Sequence, residues 1–196
     1  MAREFFDDPA DAWGILVAGD RGHPLEAEMK AQGWTIAEDE PAYVLVDLAT
    51  AIRQTNVNST RLTIRPILAE EDRDAFSNIA GQAYGAPPEF ADLFLPSLDF
   101  ARDPEMIWLL ADWEGQPVAA GGGYRLGSFA VICCLATLDD YRGRGFGTAI
   151  MHKLIERFEV AGSIHATLRS GPKSRPLYER LGFLCVCQHR TYTQRG

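Results

Sequence analysis

The chemistry-bearing residues of this chain crowd into one short stretch, "DDYRGRGFGTAIMHKLIERF", at positions 139 to 158. Its centre, Arg142-Gly143-Arg144-Gly145-Phe146-Gly147, places three glycines and two arginines immediately ahead of an amphipathic run. A glycine-rich loop between a strand and a helix N-terminus can aim several backbone N–H groups at one point, with the helix dipole behind them. Glycines let that backbone approach a ligand with no Cβ in the way. Arg142 and Arg144 can add charge-assisted hydrogen bonds. Together these features describe a cradle for a pyrophosphate.

Spacing narrows the kind of cradle. A P-loop needs G-x-x-x-x-G-K-[ST], and the chain has no Gly-Lys pair; "SGPKS" at 170 to 174 is a false echo. A dinucleotide fingerprint needs G-x-G-x-x-G, whereas this run is Gly143-x-Gly145-x-Gly147 and does not sit in the first strand-to-helix turn of its unit. What remains is R-x-x-G-x-G. The strand "CCLATL" precedes it, Tyr141 stands directly before the arginine, and about 30 residues further on comes "SRPLYERLGF". In these features the chain resembles a GNAT-superfamily N-acetyltransferase, closely over residues 133 to 184 and in element order over 61 to 193. It is also similar to a bacterial group of these enzymes that carries an N-terminal extension.

The resemblance implies acetyl-CoA as donor and direct transfer of the acetyl group to a primary amine. It implies that Arg142, Gly143, Arg144, Gly145, Phe146, Gly147 and Thr148 hold the pyrophosphate, that Leu135, Ala136 and Thr137 pair with the pantetheine arm, and that Ser174 also touches the cofactor. It assigns the backbone N–H of Leu135 to the acetyl oxygen and makes Tyr178, from L-Y-x-x-x-G-F, the general acid. That role is chemically sound, because a phenol of pKa ~10 stays protonated at neutral pH and a thiolate of pKa ~8.5 can take its proton. Half-buried packing is the alternative for Tyr178. The chain departs from the family at Gly171, where an Asn or Ser is common. No carboxylate lies within "FAVICCLAT", and Asp139 and Asp140 stand only at its end, so the base for the ammonium is unassigned. Tyr84, Phe90, Phe94 and Tyr124 are candidates for the acceptor pocket, with lid or core packing an equal alternative.

The elements that must position these residues follow from hydrophobic period and turn chemistry. "GILVAG" (14–19) and "AYVLVDL" (42–48) read as strands, with a helix in "HPLEAEMKAQGW" between them. The polar "RQTNVNST" (53–60) is the linker candidate, dividing an N-terminal extension (1–52) from a second unit (61–196). That unit opens on the strand "RLTIRPI" and a helix with acids in its first turn. A Pro-punctuated aromatic connection leads to a three-strand meander at 106–113, 117–126 and 129–138. Phe146, Ile150, Leu154 and Phe158 recur every fourth residue as a helix stripe. A strand (163–170), a short helix (174–181) closed by Gly182 and a last strand (183–193) complete an α+β fold. The expectation is a mixed, mostly antiparallel central sheet with helices on both faces. "EMKAQGWTIAEDEPAYVLVDL" repeats the helix-Gly-aromatic-strand layout of "LYERLGFLCVCQHRTYTQ". The extension then reads either as a degenerate remnant of a second copy or as a chance likeness.

Composition bounds the function. The 196 residues are 46% hydrophobic and 23% charged, enough apolar content to close a core. No apolar run reaches a membrane span and the acidic start lacks a leader-like core, so a cytoplasmic protein is expected. From Arg142 onward there are ten Lys and Arg against three Asp and Glu; before it there are nine against 24. A nucleic acid would be repelled by most of this chain, whereas one small polyanion held by the C-terminal part suits it. Cys133 and Cys134 read as core residues on opposite faces of a strand, and Cys185 and Cys187 as alternating positions on another; a nucleophilic or redox cysteine is the alternative. No spacing of the cysteines or histidines suggests a metal. A homodimer is the default assembly. Two rivals to the enzyme stay open: a CoA-binding sensor without catalysis, and an interaction module whose cradle takes another phosphate ligand.

Overall fold

Strands and helices form where hydrophobic period and turn residues place them, as seen in a computed structural model that describes residues 14–19, 22, 24–52 and 61–194. In chain order the first elements are β1 (Gly14–Gly19), α1 (Pro24–Ala31), β2 (Thr35–Leu45), α2 (Leu48–Ile52), β3 (Leu62–Pro66), α3 (Glu70–Tyr84) and α4 (Leu98–Ala101). There follow β4 (Met106–Trp113), β5 (Gln116–Leu126), β6 (Phe129–Thr137), α5 (Phe146–Val160), β7 (His165–Arg169), α6 (Arg175–Arg180) and β8 (Leu184–Thr193). Expected and observed elements differ most at the second strand. It begins at Thr35 rather than near residue 42, and Leu48–Ile52 is helical. Asp47 starts that helix, accepting from the Ala49 N–H at 3.0 Å and the Thr50 hydroxyl at 2.6 Å. The expected linker, 53–60, lies outside the described residues.

The fold makes two compact units that are discontinuous in sequence: Val44–Leu168 with Leu181–Phe183, and the described residues up to Tyr43 with Arg169–Arg180 and those from Leu184. In the larger unit the strands lie in the order β7-β6-β5-β4-β3. Every pair is antiparallel except β6 with β7, which run parallel. The β4–β5 and β5–β6 connections are hairpins. Gly115 (φ 84°) and Gly127 (φ 60°) sit in their turns, where positive φ favours glycine.

Cross-strand register shows that α3 and α5 cover opposite faces of this sheet. Trp108, Gly122 and Cys134 stand opposite one another on adjacent strands and share a side. Trp108 and Cys134 belong to the core that contains Phe76 and Ile79 of α3, and the Trp108 ring meets Phe76 edge-on at 5.3 Å. Leu109, Gly121 and Leu135 form the next row. A side chain at Gly121 would meet Ile150 of α5 at 2.6 Å, so that row faces the other helix. The mixed, mostly antiparallel sheet with helices on both faces is therefore the architecture of this unit.

One irregularity overturns an expectation. Register between β5 and β6 shifts at Gly122/Gly123, so that Cys134 pairs with Gly122, Ile132 pairs with Gly123, and Cys133 is the extra residue of a bulge. Adjacent Cys133 and Cys134 therefore do not serve opposite faces. Cys134 lies in the core under α3, and Cys133 packs against that same cluster.

The smaller unit orders its strands β1-β8-β2. β1 runs antiparallel to β8, Gly14 opposite Thr193 and Gly19 opposite Gln188. Val17, Met29, Trp34 and Tyr192 form its small core. Arg190 is 1% exposed and turns its guanidinium onto buried Glu26 and the carbonyl of Gly19, which satisfies a charge that could not stand alone there. The two corners singled out by their layout are locally alike: α1 leads through Gly33 (φ 84°) to buried Trp34, and α6 through Gly182 (φ 89°) to buried Phe183. No helix among the described residues is long and apolar enough to cross a membrane.

Candidate functional site

The glycine-rich stretch is a turn between the end of β6 and the start of α5. A 3-10 turn at Asp139–Tyr141 carries the chain off the strand. Gly143 (φ 75°) and Gly145 (φ 88°) then adopt left-handed backbone, which reverses the chain into the helix. A Cβ built on either glycine would meet nothing within 4 Å, so the turn lies open. The first hydrogen bond of α5 runs from the Ala149 N–H to the Gly145 carbonyl at 2.9 Å. The N–H groups of Phe146, Gly147 and Thr148 therefore precede the helical ladder and point past its N-terminus. No side chain caps this end. The Phe146 ring is buried against Trp113 at 5.4 Å and Tyr141 at 6.1 Å, which pins the first helical residue while leaving its backbone at the opening.

The two arginines of the motif do different things. Arg142 folds back: its guanidinium donates to the carbonyls of Thr137 at 3.2 Å and Ala83 at 3.1 Å and pairs with Asp139 at 2.8 Å. Ala83 lies in the last turn of α3, where carbonyls lack helical partners and the dipole favours a cation. Arg142 thus braces the turn against α3. Arg144 extends over the Tyr141 ring, 5.2 Å from its centroid, and remains exposed.

Upstream, β6 loses its parallel neighbour before it ends. The last β6–β7 pair is Ile132 with Leu168, so Leu135 and Thr137 present peptide groups to an edge with no β7 residue opposite. Among the described residues these groups meet side chains of the same unit. Thr137 accepts from Arg142. The Leu135 N–H donates to the Tyr84 hydroxyl at 3.4 Å, and that hydroxyl donates to the Leu135 carbonyl at 3.3 Å. Ala136 is turned into the core. The sequence motif therefore comes together with Leu135, Ala136 and Thr137 on one strand end, and α3 supplies Ala83 and Tyr84 beside it. That contribution of α3 escaped sequence reasoning, which treated Tyr84 as a pocket aromatic; the C-cap Gly85 (φ 64°) was the local signal that a helix ends there.

Tyr84, Phe90 and Phe94 form a ring ladder with centroids 5.5 and 5.3 Å apart, so three of the four pocket candidates are neighbours. Tyr124 lies on β5 between Met106 and Val131 of the flanking strands. Ser174 and Tyr178 belong to the smaller unit. Ser174 closes a 3-10 turn by donating its N–H to the Gly171 carbonyl at 3.2 Å. Tyr178 is buried, its ring 5.6 Å from that of Tyr43.

Other reactive groups are quiet. Burial pushes the Cys133 thiol up to about 11 and the Cys134 thiol up to about 12, which keeps both protonated and disfavours a cysteine nucleophile. Burial holds His152 below the usual histidine range and, with Arg169 as a lesser influence, does the same to His189. Among the described residues no three His, Cys, Asp or Glu side chains cluster as metal ligands.

This geometry fits the group that the motif implies. An open left-handed turn backed by peptide N–H groups suits a diphosphate, and a strand edge ending in unladdered peptide groups suits an arm that carries amides. Comparison with known proteins points the same way. Residues 66–183 match the family model described as "Acetyltransferase (GNAT) family". Among solved structures, a GCN5-related N-acetyltransferase from Kribbella flavida is similar at TM-score 0.75 and 21% identity, over 99% of this chain and 72% of that one. A GCN5-related N-acetyltransferase from Sphaerobacter thermophilus matches at TM-score 0.68 and 17% identity, over 98% of this chain and 63% of the other. A tandem GNAT protein from the clavulanic acid biosynthesis pathway matches at TM-score 0.74 and 13% identity, over 98% and 66%. No curated protein matches the sequence.

Proposed function

Because this chain belongs to the GNAT acetyltransferase family, we propose that it transfers the acetyl group of acetyl-CoA directly to a primary amine. The acceptor class comprises small metabolites, drug-like amines and protein N-termini, and the bacterial cytoplasm is the proposed setting. The observation that carries the reading is the open turn at Gly143 and Gly145, with the N–H groups of Phe146, Gly147 and Thr148 ahead of the first bond of α5. Acetyl-CoA supplies a thioester whose carbonyl carbon is open to an amine and whose thiolate can depart.

The chain's own residues are proposed to act as follows. The turn binds diphosphate through its peptide groups, while Arg142 keeps it braced rather than spending its charge on the ligand. The edge of β6 at Leu135 to Thr137 holds an extended arm, and the Leu135 N–H polarises the acyl oxygen. Tyr178, on the motif match alone, gives the proton to the departing thiolate, and Ser174 adds a cofactor contact. The amine attacks only when neutral. With an alkylammonium pKa near ~10, turnover should climb about tenfold per pH unit around neutrality until another step limits.

A thermal-shift series tests the reading. Acetyl-CoA at about 100 times its Kd stabilises by ~2.7 kcal/mol, which is roughly 5–10 °C for a chain of this size, while NAD and ATP leave the transition in place. No shift with acetyl-CoA would sink it. A panel of amines followed by free-thiol release then identifies the acceptor. Tyr178→Phe is expected to lower turnover on the order of 10²-fold with acetyl-CoA affinity nearly unchanged. If acetyl-CoA binds tightly and no amine in the panel releases thiol, the non-catalytic sensor becomes the better account.

A further inference from the structure

We propose that Tyr84 belongs to the acyl subsite: its phenol holds the Leu135 peptide in the free protein and gives up that position when a thioester carbonyl arrives. The inference rests on the reading of Leu135 as the acyl-polarising peptide and adds to it a residue that competes for the same N–H.

The geometry carries it. A hydroxyl that accepts from the Leu135 N–H at 3.4 Å stands where a polarised carbonyl oxygen has to stand. The same hydroxyl donates to the Leu135 carbonyl at 3.3 Å, so one group engages both backbone polar atoms of Leu135. Both contacts are long for hydrogen bonds, which prefer about 2.9 Å. The hydroxyl also meets the Cys134 side chain, so more than these two contacts place it, and the two to Leu135 are weak enough to be exchanged. Tyr84 is 47% exposed, so its ring has room to turn. The backbone beneath it is held, since Arg142 grips the Ala83 carbonyl and the Ala86 N–H reaches the Gly81 carbonyl at 2.9 Å. What can move is the side chain, and Phe90 lies alongside it at 5.5 Å. The ring ladder therefore starts at the acyl position.

This arrangement distinguishes two ligands that share every atom but the acyl group. Free CoA ends in a thiol and brings no acyl carbonyl to the Leu135 N–H, while the amides of its arm are shared by both ligands and do not distinguish them. Acetyl-CoA brings one, and must displace the phenol to use that N–H. Tyr84 thus lowers the preference of the protein for acetyl-CoA over CoA.

Tyr84→Phe removes the hydroxyl and keeps the ring. The dissociation constants of acetyl-CoA and CoA would be measured by calorimetry for wild type and variant. The expected result is acetyl-CoA bound about 2- to 5-fold tighter in the variant, with CoA nearly unchanged. Amide exchange gives a reading without ligand, because the Leu135 N–H should exchange faster in the variant. Tyr84→Leu repeats both measurements with the aromatic ring also gone. Equal changes for the two ligands, or weaker acetyl-CoA binding, would overturn the proposal and leave Tyr84 as packing or an ordinary contact. If wild type binds neither ligand, the acetyl-CoA reading itself falls and takes this one with it. A wild type that binds acetyl-CoA while the variant shows the same ligand ratio removes only the role of Tyr84.

Discussion

Two glycine-rich regions of the larger unit use the same residue for opposite reasons. In β5, Gly121, Gly122 and Gly123 are buried, and there is no space for anything else. A Cβ on Gly122 would fall inside the Trp108 ring, and one on Gly123 would strike the Val131 carbonyl at the β6 bulge. In the turn before α5, Gly143 and Gly145 have open space above them and need glycine only for their left-handed backbone. The first region is a closed interior, where the missing side chain lets an indole and a bulged strand come close. The second is an open surface turn, which we propose receives the diphosphate. Glycine by itself marks close approach of backbone, and only the surroundings tell whether the visitor is the protein or a ligand.

Substitutions should separate the two regions. Gly122→Ala is expected to be the most damaging, because overpacking a rigid aromatic core costs about 3 kcal/mol, or roughly 6–12 °C in melting temperature. A variant that melts like wild type would show that the Trp108 side of the sheet is not tightly closed. The same side has a support that acid can remove. Burial acts to raise the Asp72 carboxyl, but the Leu68 N–H, Arg65 and the Ala69 N–H together hold it below the ordinary carboxylate range. Its stabilisation is therefore complete above the unfolded value near ~3.9 and is lost as pH falls through the lower folded one. Asp72→Asn should cost about 1–2 kcal/mol at pH 6, and the gap to wild type should close in melts below pH ~4. A gap that persists unchanged into acid would mean that the carboxylate charge contributes nothing.

Gly145→Ala is expected to have the smallest effect on the free protein, about 1 kcal/mol or roughly 2–4 °C, from forcing a Cβ into left-handed backbone. Its larger effect should appear with ligand, where the acetyl-CoA shift shrinks because the new methyl group stands over the open turn. An undiminished shift would count against the turn as the diphosphate site.

The legible part of this site was local. Arg142 to Gly147 could be recognised because a left-handed turn and a helix start leave their marks within a few residues, and the structure holds the open turn that the spacing implied. The strand at Leu135 to Thr137 was legible as an apolar run next to a hairpin turn. The use of the two arginines was not. Arg142 looked like a ligand-facing charge, yet it grips carbonyls of Thr137 and Ala83, the latter 59 positions away. Nor was the bulge legible. Nothing in "ICCLAT" says that Cys133 will be the unpaired residue, because that depends on how Gly122 and Gly123 sit against it.

Near-neighbour sterics and hydrophobic period determined the succession of strands and helices from residue 61 onward and the glycine-built helix mouth, because each is encoded in contiguous residues. Tertiary structure alone decided that β1 pairs with β8 from the far end of the chain, that Tyr84 rests on the Leu135 peptide, and that Arg190 is buried on Glu26. These are matches between groups distant in sequence, and they come into being only when folding brings a donor to an acceptor that no local rule could name.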